Sequence, residues 1–298
     1  MKKGIITRRD FIRVAAAAPF AGAVSPLFKP TPDAAPPQGK TRVVLIRDRQ
    51  ALDAAGNPEP EVIQKMLDDS LAALLGEKNS AAAWKRIIAP TDTVGIKTNV
   101  WTYLNTTSAV ERALKRRVLD AGVAEDRIAI DDRGVRRNPV FQKATALINA
   151  RPARTHYWSG MGGCIKNMIM FVPQPADYHG DSCADLATIW SLPEVKGKVK
   201  LNILLMLTPL FQGVGPHHYS KEYIWPYQGI LVSADPVAVD SIGVEILQAK
   251  RRLFFGEEKP LQPPAHHVVY AETRHRLGVA DRAKIELVKI GWKDEILI

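Results

Sequence analysis

Short runs rich in branched aliphatic residues alternate with longer amphipathic segments along most of this chain. Such runs are typical of β-strands, and six occur: RVVLI (42–46), TVGIKT (93–98), RIAID (127–131), KLNILLML (200–207), GILVS (229–233) and KIELVKI (284–290). Strands that alternate with helices are usually joined by crossovers, which place helices on both faces of the sheet. The order predicts an α/β fold with a mixed or largely parallel sheet and helices on both faces.

Two segments between these runs have the apolar spacing of helices that pack one face against a sheet. Residues 61–76 end on Gly76, and residues 108–122 begin with Ser108 and Glu111 at the spacing of a capping box. Further helices are predicted at 140–149, 185–191, 236–249 and 264–277. No internal repeat or linker divides residues 41–298, which we expect to form a single α/β domain.

The N-terminus has the composition of a targeting segment rather than of a folded element. Arg8 and Arg9 precede Asp10-Phe11-Ile12, a pattern that resembles the twin-arginine export signal; the alternative is an ordinary basic N-terminal helix. The resemblance implies a signal peptide over 1–30, recognition by the twin-arginine export machinery, and delivery of the folded protein to the periplasm or another extracytoplasmic space. Residues 31–40 are Pro-rich, which predicts a flexible tether that leads to the first strand.

The apolar part of this segment, residues 14–24, is short for a membrane span, which needs about 20 residues. The triplet Ala21-Gly22-Ala23 resembles a cleavage site. We therefore expect no permanent transmembrane helix.

The formal net charge is +10, of which residues 1–34 carry +4 through six lysines and arginines and two aspartates. The remaining basic residues are scattered rather than interleaved with aromatic residues along a stripe. This distribution argues against nucleic acid as a partner and leaves small anions as plausible ligands.

Cys164 and Cys183 are the only cysteines. An oxidising compartment permits a disulfide between them, but two buried free thiols and a metal or redox role remain open. Two cysteines cannot supply the four thiolates of an iron–sulfur cluster, so no such cluster of the chain's own is expected, and the cofactor is unknown.

Polar residues follow several predicted strands, and in an open α/β sheet the ligand crevice lies beyond the carboxyl ends of the strands. These positions predict a binding site for a small anionic metabolite or cofactor. In an enzymatic version, Lys97 and Lys166 would stabilise developing negative charge, and Asp131 or His156 would move a proton. The candidate ligand-binding residues are Lys97, Asn99, Gly162, Gly163, Lys166, Asn167, Ser233, Asp235 and Asp240.

The segment HYWSGMGGCIKNM (156–168) contributes most to that site. Gly160, Gly162 and Gly163 would let successive amides form an anion-binding concavity at the start of a helix, beside Lys166 and Asn167. The alternative is a tight turn and a buried helix from which the lysine reaches solvent.

Two aspartates precede or lie within the helix predicted at 236–249. Asp235 stands before Pro236 and suits a helix cap. Asp240 falls in the apolar arc of the helical wheel, where a carboxylate needs a cation or donors. We expect Asp240 to pair with Lys97 or Lys166, or to help hold a ligand.

His179, Asp181 and Cys183 alternate along the chain, so an extended backbone would place them on one face as a weak metal-site candidate. A solvated loop is the competing interpretation.

Several phrases together resemble domain of unknown function family 362. They are KTN (97–99), HYWSGMGGCIKNM (156–168), GVGP (213–216), ILVSADPVAVDSIG (230–243) and RLGVAD (276–281). Members are often exported or fused to ferredoxin-type modules, which implies a redox- or cofactor-linked role and a possible redox partner protein. The family usually has an acidic residue ahead of Gly-x-Gly-Pro, where this chain has Thr208 and Pro209. The alternative function is a non-catalytic binding or assembly protein for a metal centre or partner that is exported folded.

Overall fold

The computed structural model describes residues 39–213 and 219–298. The predicted signal peptide, nearly all of the predicted tether and most of the GVGP phrase lie outside these residues. Residues 39–298 form one unit by their contacts.

Eight strands of the described residues form one sheet. They are β1 (Thr41–Arg47), β2 (Val94–Lys97), β3 (Ile128–Asp131), β4 (Ala146–His156), β5 (Gly160–Gly162), β6 (Val199–Leu210), β7 (Gly229–Ser233) and β8 (Ile285–Gly291). Their spatial order is β3-β2-β4-β6-β7-β1-β8, and β5 pairs with β4 beside this path. Along the main path only β7 is antiparallel to its neighbours. The predicted α/β class with a mixed, largely parallel sheet is confirmed, as are all six predicted strands.

Seven α-helices accompany the sheet within the described residues. They are α1 (Pro60–Leu75), α2 (Ser80–Ile87), α3 (Ser108–Asp120), α4 (Pro139–Gln142), α5 (Cys164–Asn167), α6 (Pro236–Phe255) and α7 (His266–Thr273). Short 3-10 turns lie at Glu125–Arg127, Met168–Phe171, Pro175–His179, Asp181–Cys183, Leu186–Ser191, Lys221–Tyr223 and Arg282–Lys284. None of the described helices is long and apolar enough to cross a membrane.

The alternation of side chains along β1 shows how both faces of the sheet are covered. Val44 and Ile46 pack in the apolar cluster that includes residues of α1, α2 and α3. Val43 and Leu45 pack on the opposite face with Val239 and other residues of α6. Helices therefore cover both faces, as the alternating order of elements predicted.

Two local predictions are wrong, and one helix was missed. Residues 140–149 were expected to be helical, but α4 ends at Gln142 and β4 begins at Ala146. The capping box is absent because Thr107, not Ser108, is the N-cap of α3, and its side chain makes no capping bond. The helix α2 was not predicted; Asn79 caps it by accepting from the amide of Ala82.

Candidate functional site

A cavity of about 290 Å³ lies beyond the carboxyl ends of β2 and β3, against β4 and α5. The side chains around it are mostly basic or polar. They are Asn99, Asp132, Arg133, Arg151, Arg154, His156, Trp158, Lys166, Asn167, Ile169, Met170, Pro175 and His179. We call this space the cationic cavity.

Strand β4 carries two arginines to this cavity because it is longer than its neighbour β2. Lys97, the last residue of β2, pairs with Asn149, and β4 continues to His156. Arg151 and Arg154 would lie on opposite faces of a regular strand, but the pairing with β6 shifts register between Pro152 and Arg154. The irregularity lets both arginines line the same cavity.

The two guanidinium groups are buried and only partly hydrogen-bonded. Arg151 donates from Nη1 to the carbonyl of Gly163 at 3.3 Å, and Arg154 stacks over the ring of Trp101 at 4.0 Å. Nε and Nη2 of Arg151 and Nε and Nη1 of Arg154 find no hydrogen-bond partner among the described residues. Burial lowers the pKa of both arginines, and Arg151 adds to the effect at Arg154. Unpaired buried donors of this kind are costly and call for an acceptor.

Lys97 is fully buried but compensated. Its Nζ donates to Asp132 Oδ1 at 2.5 Å and to the carbonyl of Thr98 at 2.8 Å, while Asp132 Oδ2 accepts from the amide of Val100. Burial lowers the pKa of Lys97 to about 8 against the attraction of Asp132. Although burial opposes it, Lys97 holds the pKa of Asp132 below its ordinary value. The ion pair of Lys97 and Asp132 lies at one wall of the cavity, and its two charges largely neutralise each other.

Lys166 on α5 is also buried, with 4% of its surface exposed, but it has no such carboxylate. Its Nζ donates to Cys183 Sγ at 3.3 Å, and among the described residues no acid lies within ion-pair distance of it. Burial, with Arg151 and Arg154 nearby, lowers the pKa of Lys166 to about 8. The alternative in which this lysine reaches solvent is wrong.

His156 lines the cavity at the end of β4, where its Nδ1 accepts from the amide of Trp158 at 3.2 Å. Burial and the cations Lys166, Arg154 and Arg151 drive its pKa far below the ordinary value. The imidazole is therefore neutral at physiological pH, and the bond at Nδ1 places its proton on Nε2. A neutral Nε2–H can donate to an anion but is a poor source of a transferred proton.

The glycine segment does not form an open anion concavity. The carboxylate of Asp240 accepts from the amides of Cys164 at 2.6 Å and Ile165 at 2.8 Å, so the anion at the start of α5 belongs to the protein. A Cβ on Gly163 would lie 2.5 Å from Asp240 Oδ2, and one on Gly162 would lie 2.7 Å from Arg151 Nη2. These glycines are needed for close packing, and of the segment's three glycines only Gly160 has positive φ.

The predicted pairing of Asp240 with Lys97 or Lys166 is wrong. Asp240 is fully buried, as the helical wheel indicated, but backbone amides satisfy it and Arg151 is the cation that acts on it. Burial raises the pKa of Asp240 to about 7, and the two amide bonds oppose that rise. Asp240 therefore stabilises the start of α5 through the backbone amides of that helix and does not line the cavity.

A chain of buried side-chain amides holds α5 to the sheet. Asn167 Nδ2 donates to Asn149 Oδ1 at 2.8 Å, Asn149 Nδ2 donates to Asn202 Oδ1 at 2.9 Å, and Asn202 Nδ2 donates to the carbonyl of Ala234. The Oδ1 atom of Asn167, which lines the cavity, has no partner among the described residues. This leaves one acceptor beside the basic groups.

Three of the predicted site residues, Asp131, Ser233 and Asp235, do not line the cavity and instead make hydrogen bonds that stabilise turns, strands or helix ends. Asp235 caps α6 by accepting from the amides of Val237 and Ala238, and Ser233 Oγ donates to the carbonyl of Arg42. Asp131 accepts from the amide of Gly134 and from Asn138, which ties down the turn after β3. Its neighbour Asp132, not Asp131, lines the cavity.

The extended backbone needed for the weak metal-site candidate is absent. His179 stacks on Trp158 with ring centroids 4.1 Å apart, Asp181 is exposed near Arg274, and Cys183 is buried against Lys166. Within residues 39–213 and 219–298, no three metal-ligating side chains converge. Cys164 and Cys183 are both free thiols, so the disulfide alternative is not realised.

The site thus brings together Asn99, His156, Lys166 and Asn167 as predicted neighbours, with Lys97 behind Asp132. Sequence reasoning missed the two arginines because it missed β4. The run ALIN before Arg151 was the available indication of a buried strand.

The family comparison covers the part of the chain that builds most of this site. Residues 132–245 match the family model described as Domain of unknown function (DUF362). The DUF362 match includes Asp132, both arginines, the glycine segment and Asp240, but it does not reach the KTN or RLGVAD phrases. Neither the search of curated proteins nor the search of solved structures found a match.

Proposed function

We propose that this protein binds a small anionic metabolite or cofactor in the cationic cavity. The observation that supports the proposal most directly is the pair of buried arginines, Arg151 and Arg154, whose guanidinium donors are left without partners among the described residues. Guanidinium groups match the geometry of carboxylate and phosphate oxygens, and hydrogen bonds between opposite charges are the strongest available here.

The balance of charge in the cavity agrees with an anionic ligand. Arg151 and Arg154 are cations without a carboxylate in hydrogen-bond contact, and Lys166 is a further donor with none, while the acid on the wall, Asp132, is already bonded to Lys97. An anion that enters this space would meet several donors in surroundings of low dielectric, where they act more strongly than in water.

The size of the cavity limits the ligand. A volume of about 290 Å³ is just below the range for ligand pockets, roughly 300–1,000 Å³. This suits a small organic acid or an oxyanion better than a nucleotide.

Calorimetric titration with inorganic phosphate, sulfate and succinate tests the proposal. We expect the parent to bind at least one of them, and Arg151→Met and Arg154→Met to weaken that binding by at least about tenfold, since a charge-assisted hydrogen bond contributes about 1.5–3 kcal/mol. Arg137→Gln, which removes an exposed arginine outside the cavity, serves as the matched control. Equal binding by the parent and both arginine variants, or no binding of any probe, would refute the proposal.

The location in the cell is a second part of the proposal, supported by the sequence of residues 1–30. We propose that the protein is exported to the periplasm, or another extracytoplasmic space, by the twin-arginine machinery. Changing Arg8 and Arg9 to lysine in a tagged protein should retain it in the cytoplasm. Normal export of that variant would contradict this part.

The neutral state of His156 favours binding over proton transfer by this residue. The non-catalytic alternative, a carrier or assembly protein for a metal centre or partner, therefore stands beside an enzyme. Copurification of a stoichiometric metal with the exported protein would favour the carrier.

A further inference from the structure

The two buried lysines of the site differ in one respect that bears on chemistry. Lys97 donates to a carboxylate of Asp132, which stabilises its ammonium form against the effect of burial. Lys166 contacts the thiol of Cys183 and no carboxylate among the described residues. A buried ammonium without a counter-ion is costly, and loss of its proton relieves the cost.

Neutral amines are nucleophiles, and a lysine becomes one near neutral pH when it is desolvated or lies beside another cation. Both conditions hold for Lys166, since it is buried and Arg151 and Arg154 line the same cavity. The titratable groups that interact with it are Cys183, Arg151, Arg154, His156, His179 and His267. Of these groups, Arg151 and Arg154 oppose a positive charge on Lys166, the thiol of Cys183 favours it, and the three histidines have lowered pKa values.

We propose that Lys166 is an amine nucleophile that forms an imine with the carbonyl carbon of a small 2-oxo acid whose carboxylate is held by Arg151 and Arg154. The inference rests on the proposed anion site and names the class of its ligand. The arginines select the acid, and the neighbouring amine requires an electrophilic carbonyl group. Lys166 is then a catalytic residue.

The step balances without a further reactant. The lone pair of neutral Lys166 Nζ attacks the carbonyl carbon, a C–N bond forms, and the carbonyl oxygen takes up a proton. The C–O bond then breaks, and the oxygen leaves as water with the two protons that the amine carried. The neutral His156 can donate a hydrogen bond from Nε2 to the developing oxyanion without transferring its proton.

The experiment is borohydride trapping on the full-length protein, with pyruvate and 2-oxoglutarate as probes and with lactate and 2-hydroxyglutarate as matched acids that lack the carbonyl group. We expect one reduced ligand per chain with an oxo acid, located at Lys166 by peptide mapping of the parent protein. The hydroxy acids should give no adduct but should compete. Lys166→Arg should abolish the adduct, Arg151→Met should decrease it at least about tenfold, and exposed Lys196→Met should leave it unchanged.

Mapping the adduct on the parent avoids reliance on a variant that fails to fold. If no adduct forms at Lys166 while lactate, succinate or phosphate binds in an Arg151-dependent manner, the imine proposal is overturned and the anion site stands. If no adduct forms and no anion binds, both proposals fall. An adduct spread over surface lysines would likewise overturn the inference.

Discussion

Replacing Gly163 with alanine tests whether the Asp240 carboxylate fills the start of α5. Gly163 has φ −123°, a conformation open to any residue, so backbone strain is not expected. The added Cβ would instead lie 2.5 Å from Asp240 Oδ2, with the other carboxylate atoms as close. Contacts this short cannot persist, so the carboxylate or the backbone must move.

The size of the effect follows from what holds the carboxylate. Above its pKa of about 7 the carboxylate is a charged acceptor, and its two bonds to the amides of Cys164 and Ile165 then contribute about 1.5–3 kcal/mol each. Displacing the backbone instead has the cost of an overpacked core, about 1–3 kcal/mol. We expect Gly163→Ala to lower the free energy of unfolding by about 3 kcal/mol.

Urea denaturation measures the change, with Gly180→Ala as a matched control. A Cβ on Gly180 would meet nothing within 4 Å, so that variant should unfold within about 0.5 kcal/mol of the parent, or slightly later because alanine restricts the unfolded chain. In an Asp240→Ala background the clash is gone, and Gly163→Ala should cost less. Parent-like stability of Gly163→Ala alone would refute this account of the segment.

Three further outcomes are expected. Lys97→Met should lower the free energy of unfolding by about 3 kcal/mol, because Asp132 would be left as an unpaired buried charge. In urea titrations the double variant Lys97→Met, Asp132→Leu should recover much of that loss. No recovery would contradict the pairing of Lys97 with Asp132. The pKa of Lys166 falls from its ordinary 10.5 to about 8, so the folded protein releases this proton at a lower pH than the unfolded chain, and stability should rise between about pH 8 and 10.5. Lys97 has a similarly lowered pKa and contributes to the same rise, so Tm measured against pH should rise less in Lys166→Met than in the parent, and an unchanged rise would contradict the burial of Lys166 as an amine. A thiol reagent should leave buried Cys164 and Cys183 unlabelled in the native protein and label both after denaturation, whereas rapid native labelling would contradict their burial.

The sequence predicted the strands that have continuous apolar runs and missed β4, which has no such run, and the three-residue β5. β4 contains Asn149, Arg151, Pro152 and Arg154, which interrupt the branched aliphatic pattern on which the prediction depended. These residues are buried because β4 lies between β2 and β6 and faces the cavity, a tertiary circumstance that local composition does not encode.

The sequence predicted those site residues that lie near the carboxyl ends of the strands. Asn99 and His156 meet at one cavity because parallel strands end at the same edge of the sheet, and α5 brings Lys166 and Asn167 to the same place. The partner of Asp240 was not predictable, since a helical wheel gives the face of a side chain but not what packs there. Its partners are main-chain amides, which every residue but proline carries and no sequence pattern distinguishes.

Because β4 extends beyond β2, the cavity is lined by two kinds of residue: some lie on a paired strand, and others lie on turns. Arg151 and Arg154 belong to a strand that pairs with β6 from Leu147 to Arg154, whereas Arg133, Trp158 and His179 lie on turns. A substitution on the strand disturbs the sheet, whereas a substitution on a turn changes only the shape and charge of the cavity lining. If the cavity binds an acid as proposed, attempts to change its ligand should therefore vary the turns and keep the strand that carries the two arginines.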